Sequence, residues 1–447
     1  MAGAMIRPKR RLDRLAPAVL ALSLVAGVAC DDDPAPAPNG APRNQLTATS
    51  TTAAADTTIA TPSSSTAPNR PVTTRPPATD RGSAVPCSKG PSPTRITEPG
   101  LWTASVDGRT RLLLEGDHPV YAWSPSGSQL AIAVARPDLR WSLAVVPGGG
   151  GPVVQPAPDY VVLEAQWTPD GQHLVFTSTG PGGTGDGLHV VAAGGGAVTT
   201  LWRKRGDQTF MNFAVDPQGG RVLFVYEDPN PALYGFPFGS LMSVNLDGSN
   251  LHKLADVQSP FRLSPDGRSV AVIANGSRAV IDLGTGRRVE LAKARVHIEY
   301  FPGYDRAQTW SPDNRWVVFR FDIEDAGIYR PDGTAHWTVA SDPVFSPDAH
   351  RVVWLGGTGA DDFLVFADAD GSNRTETDNL GVLPIDWLSS ESLAVVPTNE
   401  GGRTQTICRL SVTDRKATPI VRIDHPAPRS PLLSPDRRTY ALAVSPS

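Results

Sequence analysis

The residues with the most specific chemistry in this chain are its three cysteines, Cys30, Cys87 and Cys408. Cys30 directly follows an apolar N-terminal segment, a position at which a thiol is a substrate for acylation. Cys87 and Cys408 are far apart in sequence, and in an exported protein such a pair can oxidise to a disulfide. The alternative for this pair is two unpaired thiols.

Few other residues form a catalytic or metal-binding pattern. The chain contains no HExxH, CxxC, GxxxxGK[ST] or GxSxG motif, and its eight histidines lack the spacing of metal ligands. The usual signatures of zinc enzymes, nucleotide-binding loops and serine hydrolases are thus missing. Segment 368–373 is similar to a calcium loop, but it lacks the later bidentate glutamate, so we expect a hairpin turn there. We predict no catalytic residue, no metal site and no cofactor.

Residues 1–29 have the features of an export signal. A basic run at 7–14 precedes an apolar run at 15–29, which is too short for a bilayer core that needs about 20 residues. The segment ends in Gly27-Val28-Ala29-Cys30 and resembles the lipobox of bacterial lipoproteins, although Gly27 stands where leucine is usual. The resemblance implies acylation of Cys30 and an anchor on the outer face of the cytoplasmic membrane. The alternative is ordinary cleavage, giving a secreted or periplasmic protein.

Residues 30–86 are expected to form a disordered linker. Ala, Pro, Thr and Ser make up 34 of the 50 residues from 31 to 80. Such a composition buries too little apolar surface to offset the entropy of ordering the chain. If flexible, a linker of this length spans about 40 Å root-mean-square, and its prolines extend it further. It would hold the following domain, 87–447, away from a membrane or cell wall.

From residue 100 onward the chain repeats one motif eight times. A large apolar marker residue precedes a turn of Ser-Pro-Asp-Gly type, and an apolar run follows the turn. The markers are 44, 48, 48, 47, 35, 42 and 46 residues apart, a period typical of repeat folds. They are Trp123, Trp167, Val215, Leu263, Trp310, Phe345, Trp387 and Leu433. The seventh copy is one residue shorter than the others and lacks the proline.

Each repeat is predicted to supply four β-strands. Proline presets φ at the second turn position and glycine allows a positive φ at the fourth, so the motif is a tight turn between two strands. A second turn follows in most repeats, as at Asp247-Gly248. The last copy supplies only two strands and residues 101–116 supply the other two, so one blade would combine both chain ends. We predict an all-β propeller of eight four-stranded blades, with seven blades as the alternative.

The repeated Ser-Pro-Asp-Gly turn followed by an apolar strand resembles the repeat of TolB-type, WD-repeat-like β-propellers. The resemblance covers essentially all of 100–447, and six copies are clear. It implies the propeller fold, and TolB-like members suggest protein partners. The fold alone does not imply a function, since propellers serve in binding, scaffolding and catalysis.

Composition and charge exclude other classes of protein. Pro and Gly make up 85 of 447 residues, which disfavours an all-helical protein. The formal charge is −4, and removing residues 1–30, with five basic and one acidic residue, makes it −8. Nucleic acid is therefore not an expected partner, because phosphate binding requires a basic surface.

Candidate binding residues lie on the connectors opposite the short turns. Both turns of every repeat should lie on one face of the ring, so the longer connectors lie on the other face. Two connectors carry aromatic and charged side chains of the kinds found in binding hot spots. These side chains are Tyr234, Phe236 and Phe238 on one connector, and Tyr300, Tyr304, Asp305 and Arg306 on the other. The alternative is that the rings pack down as loop anchors. Segment 202–207 is a third candidate and is expected to be a solvated basic turn.

Three hypotheses for function follow. We favour a non-catalytic envelope lipoprotein whose propeller binds a protein, peptide or glycan as a scaffold or accessory protein. The second hypothesis is a propeller enzyme of the lyase or glycoside hydrolase type, with acidic groups converging in the channel. The third is an extracytoplasmic ligand sensor.

The Cys87–Cys408 pair fits the expected ring closure. Cys408 falls on an outer strand of the seventh repeat, next to the blade that combines both chain ends. A disulfide there would fasten the N-terminal strands to the ring. By loop entropy it would contribute as much as about 5 kcal/mol.

Overall fold

The structure, a computed structural model, describes residues 87, 92–138, 140–179, 186–206, 208–227, 239–257, 261–293, 310–320, 326–356, 363–377, 380–397, 404–425 and 431–445. All of them belong to the unit Thr79–Ser447, one of two units into which the chain divides. Their regular structure consists of β-strands. Within these ranges no helix has the length and hydropathy needed to cross a membrane.

The strands form eight sheets, which we number as blades in the order of their Ser-Pro-Asp-Gly turns. Before the first marker lie β1 (Thr94–Ile96), β2 (Gly100–Ser105) and β3 (Thr110–Glu115). Blade 1 contains β4 (Val120–Trp123), β5 (Gln129–Ala135) and β6 (Trp141–Pro147). Blade 2 contains β7 (Val162–Trp167), β8 (His173–Thr179), β9 (Asp186–Ala192) and β10 (Thr199–Arg203). Blade 3 contains β11 (Thr209–Val215), β12 (Arg221–Glu227), β13 (Gly239–Asn245) and β14 (His252–Val257).

The remaining blades complete the set. Blade 4 contains β15 (Arg262–Leu263), β16 (Ser269–Ala274), β17 (Ser277–Asp282) and β18 (Arg288–Lys293). Blade 5 contains β19 (Val317–Arg320), β20 (Ala326–Tyr329) and β21 (His336–Val339). Blade 6 contains β22 (Val344–Phe345), β23 (Arg351–Leu355), β24 (Leu364–Asp368) and β25 (Thr375–Glu376). Blade 7 contains β26 (Val382–Ser389), β27 (Ser392–Pro397), β28 (Gln405–Ser411) and β29 (Ala417–Ile423), and β30 (Leu432–Leu433) and β31 (Thr439–Val444) follow in blade 8.

The eight-bladed prediction is confirmed. Within each blade the strands pair antiparallel and in repeat order. In blade 1 the fourth strand is reduced to a single β-bridge between Val154 and Val145 of β6. In blade 5 the first strand is reduced to a single β-bridge between Trp310 and Val317 of β19. The degenerate seventh repeat forms a complete blade, so the seven-bladed alternative is wrong.

Eight buried clusters close the blades into a ring, and each cluster combines side chains of two consecutive blades. Leu143 of blade 1 packs with Phe176 of blade 2, for example. The last cluster joins Ala441 of blade 8 to Leu130 of blade 1. The middle strands of each blade are apolar in sequence because a neighbouring blade covers each of their faces.

The marker tryptophans hydrogen-bond each blade to the one before it. In each case the indole Nε1 donates to the backbone carbonyl of the residue preceding the marker of the previous blade. The pairs are Trp123 with Leu432, Trp167 with Ala122, Trp310 with Arg262, and Trp387 with Val344, at 2.8 to 3.3 Å. The first strands of neighbouring blades therefore lie side by side, around the centre of the ring.

Blade 8 is built from both ends of the chain, as predicted. Its two inner strands, β30 and β31, are C-terminal, and its outer strands, β2 and β3, are N-terminal. β31 pairs with β2 from Val444 opposite Gly100 to Thr439 opposite Ser105. β1 also adds to blade 7, parallel to β29. One N-terminal segment thus joins blades 7 and 8.

The Ser-Pro-Asp-Gly turns are held by their own side chains. In blade 4, Ser264 Oγ donates to Asp266 Oδ1 (2.7 Å) and accepts from the backbone N–H of Ser269 (2.9 Å). Asp266 Oδ1 also accepts from the N–H of Arg268 (3.0 Å). Gly267 completes the turn at φ 72°. The serine and aspartate therefore satisfy backbone donors that the strands leave unpaired.

The glycine of one turn also packs against the proline of the preceding turn. A Cβ on Gly171 would lie 3.7 Å from Pro125 Cδ. The same contact connects blade 1 back to blade 8, where a Cβ on Gly127 would lie 3.8 Å from Pro435 Cδ. The motif therefore positions neighbouring blades as well as turning the chain, a role that its sequence does not reveal.

Three turns have a side chain at the glycine position. Asn314, Ala349 and Arg437 have φ values of 61°, 57° and 60°, which are unfavourable for an L-residue with a Cβ. Arg437 follows the one blade whose turn lacks proline, and its side chain reaches back to that blade. Its Nη1 donates to Asp386 Oδ1 (3.0 Å) and to the carbonyl of Trp387. Arg437 thus compensates for the degenerate seventh turn.

Glycine at positions 349 and 437 should have opposite effects on stability. Ala349→Gly relieves an unfavourable φ and should raise the free energy of unfolding by up to about 1 kcal/mol. Arg437→Gly relieves the same φ but removes a hydrogen-bonded ion pair, so we expect a net loss of about 1 kcal/mol. Urea unfolding of both variants measures the difference. If both variants change the free energy of unfolding in the same direction, the compensating role of Arg437 is contradicted.

Candidate functional site

Most of the predicted binding residues lie outside the described part of the chain. They are Cys30, Tyr234, Phe236, Phe238, Tyr300, Tyr304, Asp305 and Arg306. Acylation of Cys30 and binding through these side chains therefore stay predictions. The described residues that flank the first of these connectors are Glu227 at the end of β12 and Gly239 at the start of β13.

Cys87 and Cys408 are joined by a disulfide. Their Cα atoms are 6.2 Å apart, and 321 residues separate them in sequence. Cys408 lies on β28, and both cysteines belong to a buried cluster with Phe366 of blade 6 and Trp387 of blade 7. The disulfide thus attaches the start of the domain to the interior of the ring, one blade away from the closure.

The ring has a turn face, which carries the Ser-Pro-Asp-Gly turns, and an opposite connector face. Because the strands of a blade alternate in direction, the second turn of each repeat lies on the turn face as well. This arrangement agrees with the sequence analysis. At the connector face β10 and β12 end, and β7 and β11 begin.

An aromatic group lies at the connector face between blades 2 and 3. We define it as Trp202 on β10, Phe210 on β11, and Phe224 and Tyr226 on β12. The rings of Trp202 and Tyr226 stack with centroids 5.5 Å apart, and those of Phe210 and Phe224 stack at 6.2 Å. Trp202 and Phe224 are buried, whereas Phe210 and Tyr226 are partly exposed. The group therefore combines a packed base with accessible ring surface.

Irregular strand pairing brings these rings together. The pairing of β10 with β9 shifts register between Thr200 and Trp202, and that of β11 with β12 shifts between Phe210 and Asn212. Such bulges bend a strand and change the direction of its side chains. The group cannot be predicted from the sequence because bulges have no reliable sequence signal. Trp202 does, however, begin segment 202–207, one of the candidate segments named above.

Exposed arginines follow Trp202 in sequence, and an exposed leucine lies on the same connector face. Arg203 and Arg205 are exposed directly after Trp202. The prediction of a solvated basic turn at 202–207 is therefore wrong for Trp202, which is 8% exposed and lies on a strand, because the adjacent blade covers its ring. Leu163 is 60% exposed at a bulge near the start of β7. Together these residues suit a partner with flat apolar groups and negative charge.

Polar side chains on the inner strands join blades to one another. Gln166 Nε2 donates to the carbonyl of Phe213 (3.1 Å), and its Oε1 accepts from the N–H of Val215 (3.2 Å). Tyr121 OH donates to the carbonyl of Val162 (3.0 Å), and burial raises the pKa of this phenol. Among the described residues, no group of three or more His, Cys, Asp or Glu is placed to hold a metal ion.

His189 is a buried aromatic residue of blade 2. Its ring centroid lies 5.0 Å from that of Tyr160 and 5.3 Å from that of Phe176, and its Nδ1 is 3.2 Å from Thr200 Oγ1. Burial and, second, the charge of Arg203 lower the pKa of His189 to about 4. The imidazole is therefore neutral near pH 7 and packs as part of the core between blades.

The aspartates of the first turns have lowered pKa values. Hydrogen bonds from Thr168, Ser346 and Ser434 are the largest cause of the lowered pKa of Asp170, Asp348 and Asp436, respectively. Within the described ranges, every carboxyl group with a clearly shifted pKa is shifted downward. These carboxylates are ionised at neutral pH and serve as hydrogen-bond acceptors, all of them in turns except Asp424, which pairs with Arg95 and Arg422.

Comparison with known proteins identifies only likenesses of fold. No family model matches the sequence, and no curated protein matches it. Similar solved structures include TolB from Acinetobacter baumannii, with 19% identity and a TM-score of 0.33 over 56% of this chain. The chain spans 63% of the length of that TolB. A second TolB, from Agrobacterium tumefaciens, is 12% identical over 79% of this chain and 100% of its own, with a TM-score of 0.36.

An enzyme is also among the similar structures. Oligogalacturonate lyase from Vibrio parahaemolyticus is 12% identical, with a TM-score of 0.45 over 72% of this chain and 100% of its own. At these identities the likenesses concern the propeller fold alone.

Proposed function

We propose that the protein is an exported lipoprotein whose propeller binds a partner in the cell envelope without catalysing a reaction. In this proposal, residues 1–29 direct export and Cys30 carries the lipid anchor on the outer face of the cytoplasmic membrane. Residues 30–86 form a spacer, and 87–447 form the binding domain. The partner is a protein, a peptide or a glycan.

The observation that carries the binding proposal is the aromatic group at the connector face. Phe210 and Tyr226 keep ring surface accessible over a packed base, and exposed Arg203 and Arg205 follow Trp202 of this group in sequence. Aromatic rings beside arginine are typical of binding hot spots, because the rings give large contacts with little loss of side-chain entropy and arginine adds directed hydrogen bonds and charge. The candidate side chains Tyr234, Phe236 and Phe238 belong to the connector that follows Tyr226 in sequence.

Cross-linking in cells, followed by affinity capture of the full chain, tests this proposal. The double variant Arg203→Glu with Arg205→Glu should reduce recovery of the cross-linked partner at least tenfold, since it places repulsive charge beside the rings. The matched control, Arg268→Glu with Arg287→Glu, changes two exposed arginines on the turn face and should leave recovery unchanged. Equal recovery with both double variants would contradict binding at the aromatic group.

The same cells test the anchor. Cys30→Ser should move the protein from the membrane fraction to the soluble exported fraction, because a serine hydroxyl cannot form the thioether. Membrane retention of this variant would contradict lipidation at Cys30 and leave the binding proposal intact.

A further inference from the structure

A bulge in β10 decides on which face of blade 2 the ring of Trp202 lies. Side chains alternate between the two faces of a regular strand, so Thr200 and Trp202 would share one face. The pairing of β10 with β9 shifts register between these two residues, which leaves Leu201 as the extra residue. Leu201 and Trp202 consequently lie on the same face and belong to one buried cluster with Phe224 of blade 3. Without the bulge, Trp202 would lie on the other face, towards blade 1.

His189 lies beneath this bulge, on the face of the sheet that packs towards blade 1. It pairs with Thr200, the last residue of β10 before the bulge, and its Nδ1 is 3.2 Å from Thr200 Oγ1. Its ring packs against Phe176 and Tyr160, which belong to the buried cluster between blades 1 and 2. Within the described residues, Nε2 of His189 has no hydrogen-bond partner. The bond to Thr200 is therefore the polar contact that orients the ring.

Gly187 leaves room for this imidazole and for the bulged backbone. It lies on the same face of β9 as His189 and pairs with Arg203, the residue after Trp202. A Cβ at Gly187 would lie 2.7 Å from His189 Nε2 and 3.0 Å from the carbonyl oxygen of Trp202. The imidazole thus extends from the residue pair before the bulge to the residue pair after it.

An apolar residue at position 189 would fill the core at a lower cost. Val191, the next residue on this face of β9, is apolar and buried in the same cluster. His189 is equally enclosed, and burial of a ring nitrogen without a partner costs free energy. The histidine is therefore better explained by its contacts across the bulge than by packing alone.

We infer that His189 is a positioning residue for the aromatic group. Its hydrogen bond to Thr200 and its ring over Gly187 hold β9 and β10 in the register that gives β10 one extra residue. This register directs Trp202 towards Tyr226, on which it stacks. His189 is buried, so it acts on the binding surface through Trp202. The consequence for binding rests on the proposed function, whereas the placement of Trp202 does not.

Near-ultraviolet circular dichroism of the full chain tests the positioning without a partner. The difference between wild type and Trp202→Phe isolates the signal of this indole, which depends on its fixed contact with Tyr226. His189→Phe keeps a ring but loses the bond to Thr200, and Thr200→Val loses the same bond from the other strand. In each of these backgrounds, substitution of Trp202 should remove much less signal than in wild type, because the indole no longer has one fixed position.

A matched control separates positioning from stability. Val191→Ala removes buried surface from the same face of β9 without touching the bulge, so it should lower the urea midpoint and keep the Trp202 signal. Thr200 is only partly buried, so Thr200→Val decides the question if His189→Phe fails to fold. Loss of the Trp202 signal in Val191→Ala, or its full retention in Thr200→Val, overturns the inference.

Recovery of the cross-linked partner from cells measures the consequence for binding. His189→Phe and Thr200→Val should each lower recovery at least about fivefold, the effect of losing one hot-spot ring, and Val191→Ala should not. If the double arginine variant described above leaves recovery unchanged, the proposed function fails, and circular dichroism still decides the role of His189. If that double variant lowers recovery but Thr200→Val does not, the positioning role in binding is overturned.

Discussion

A chain with Cys87→Ser is expected to unfold with a free energy about 2–4 kcal/mol below that of wild type. The disulfide closes a loop of 321 residues, so its loss releases a large conformational entropy into the unfolded chain. Cys408 is fully buried, and its thiol can remain as a small apolar group in the core. Urea unfolding under non-reducing conditions measures the effect.

Two comparisons make this test specific. Wild type unfolded in the presence of a reductant should approach the stability of Cys87→Ser, whereas Cys30→Ser removes the other cysteine and should not change the midpoint. If Cys87→Ser unfolds at the wild-type urea concentration, the disulfide does not contribute to stability in the way proposed here.

Loss of the disulfide should weaken the closure of the ring. The segment that follows Cys87 contains β1, whose Arg95 pairs with Asp424, and Asp424 N–H donates to the carbonyl of Ile96 (2.9 Å). β1 has only three residues, so these contacts alone hold it weakly. The disulfide keeps the N-terminal segment near blade 7 and thereby favours entry of β2 into blade 8.

Deleting residues 426–447 is expected to abolish cooperative folding. The deletion removes β30 and β31, and residues 440–444 of β31 are all at most 3% exposed. Burial of one large apolar side chain contributes about 1.5–3 kcal/mol, and a domain is stable by only about 5–15 kcal/mol in total. Two buried clusters, one around Ile407 and one around Leu130, would lose the side chains that β31 contributes to them. The ring would then have an open seam with exposed strand edges, which favour aggregation.

Circular dichroism and urea unfolding measure this loss of cooperativity. Deleting residues 31–80 removes a longer part of the chain and is the control, because that composition should contribute nothing to the folded core. A C-terminal truncation that still unfolds in one sharp transition would mean that blade 8 is not required to close the ring.

The repeat pattern accounts for how much of the fold can be predicted from sequence. A turn of four residues and an apolar strand are local features, and their recurrence near Trp123, Trp167 and Trp310 reveals the blades without any knowledge of contacts. The count of strands at each end likewise predicts that 101–116 complete the last blade. The positions of Cys87 and Cys408 near that closure favoured a disulfide over two unpaired thiols, and the structure contains the disulfide.

Contacts between blades are harder to predict because they depend on how one sheet is placed against the next. The weak seventh repeat is an example. Its missing proline is visible in the sequence, but nothing local indicates that Arg437, fifty residues after Trp387, compensates for it. The bulges that bring Trp202 and Tyr226 together are equally hidden.

Sequence patterns alone thus predicted a propeller of eight blades with seven as the alternative, the turns within the blades, and the use of both chain ends, because each of these depends on short-range patterns repeated at a regular interval. The tertiary structure was needed to show which side chains meet in the aromatic group and which blade 7 atoms Arg437 contacts. Those meetings depend on side chains from different strands, most of them on neighbouring blades, and the relative position of two packed sheets is set by the whole interface rather than by any segment of it.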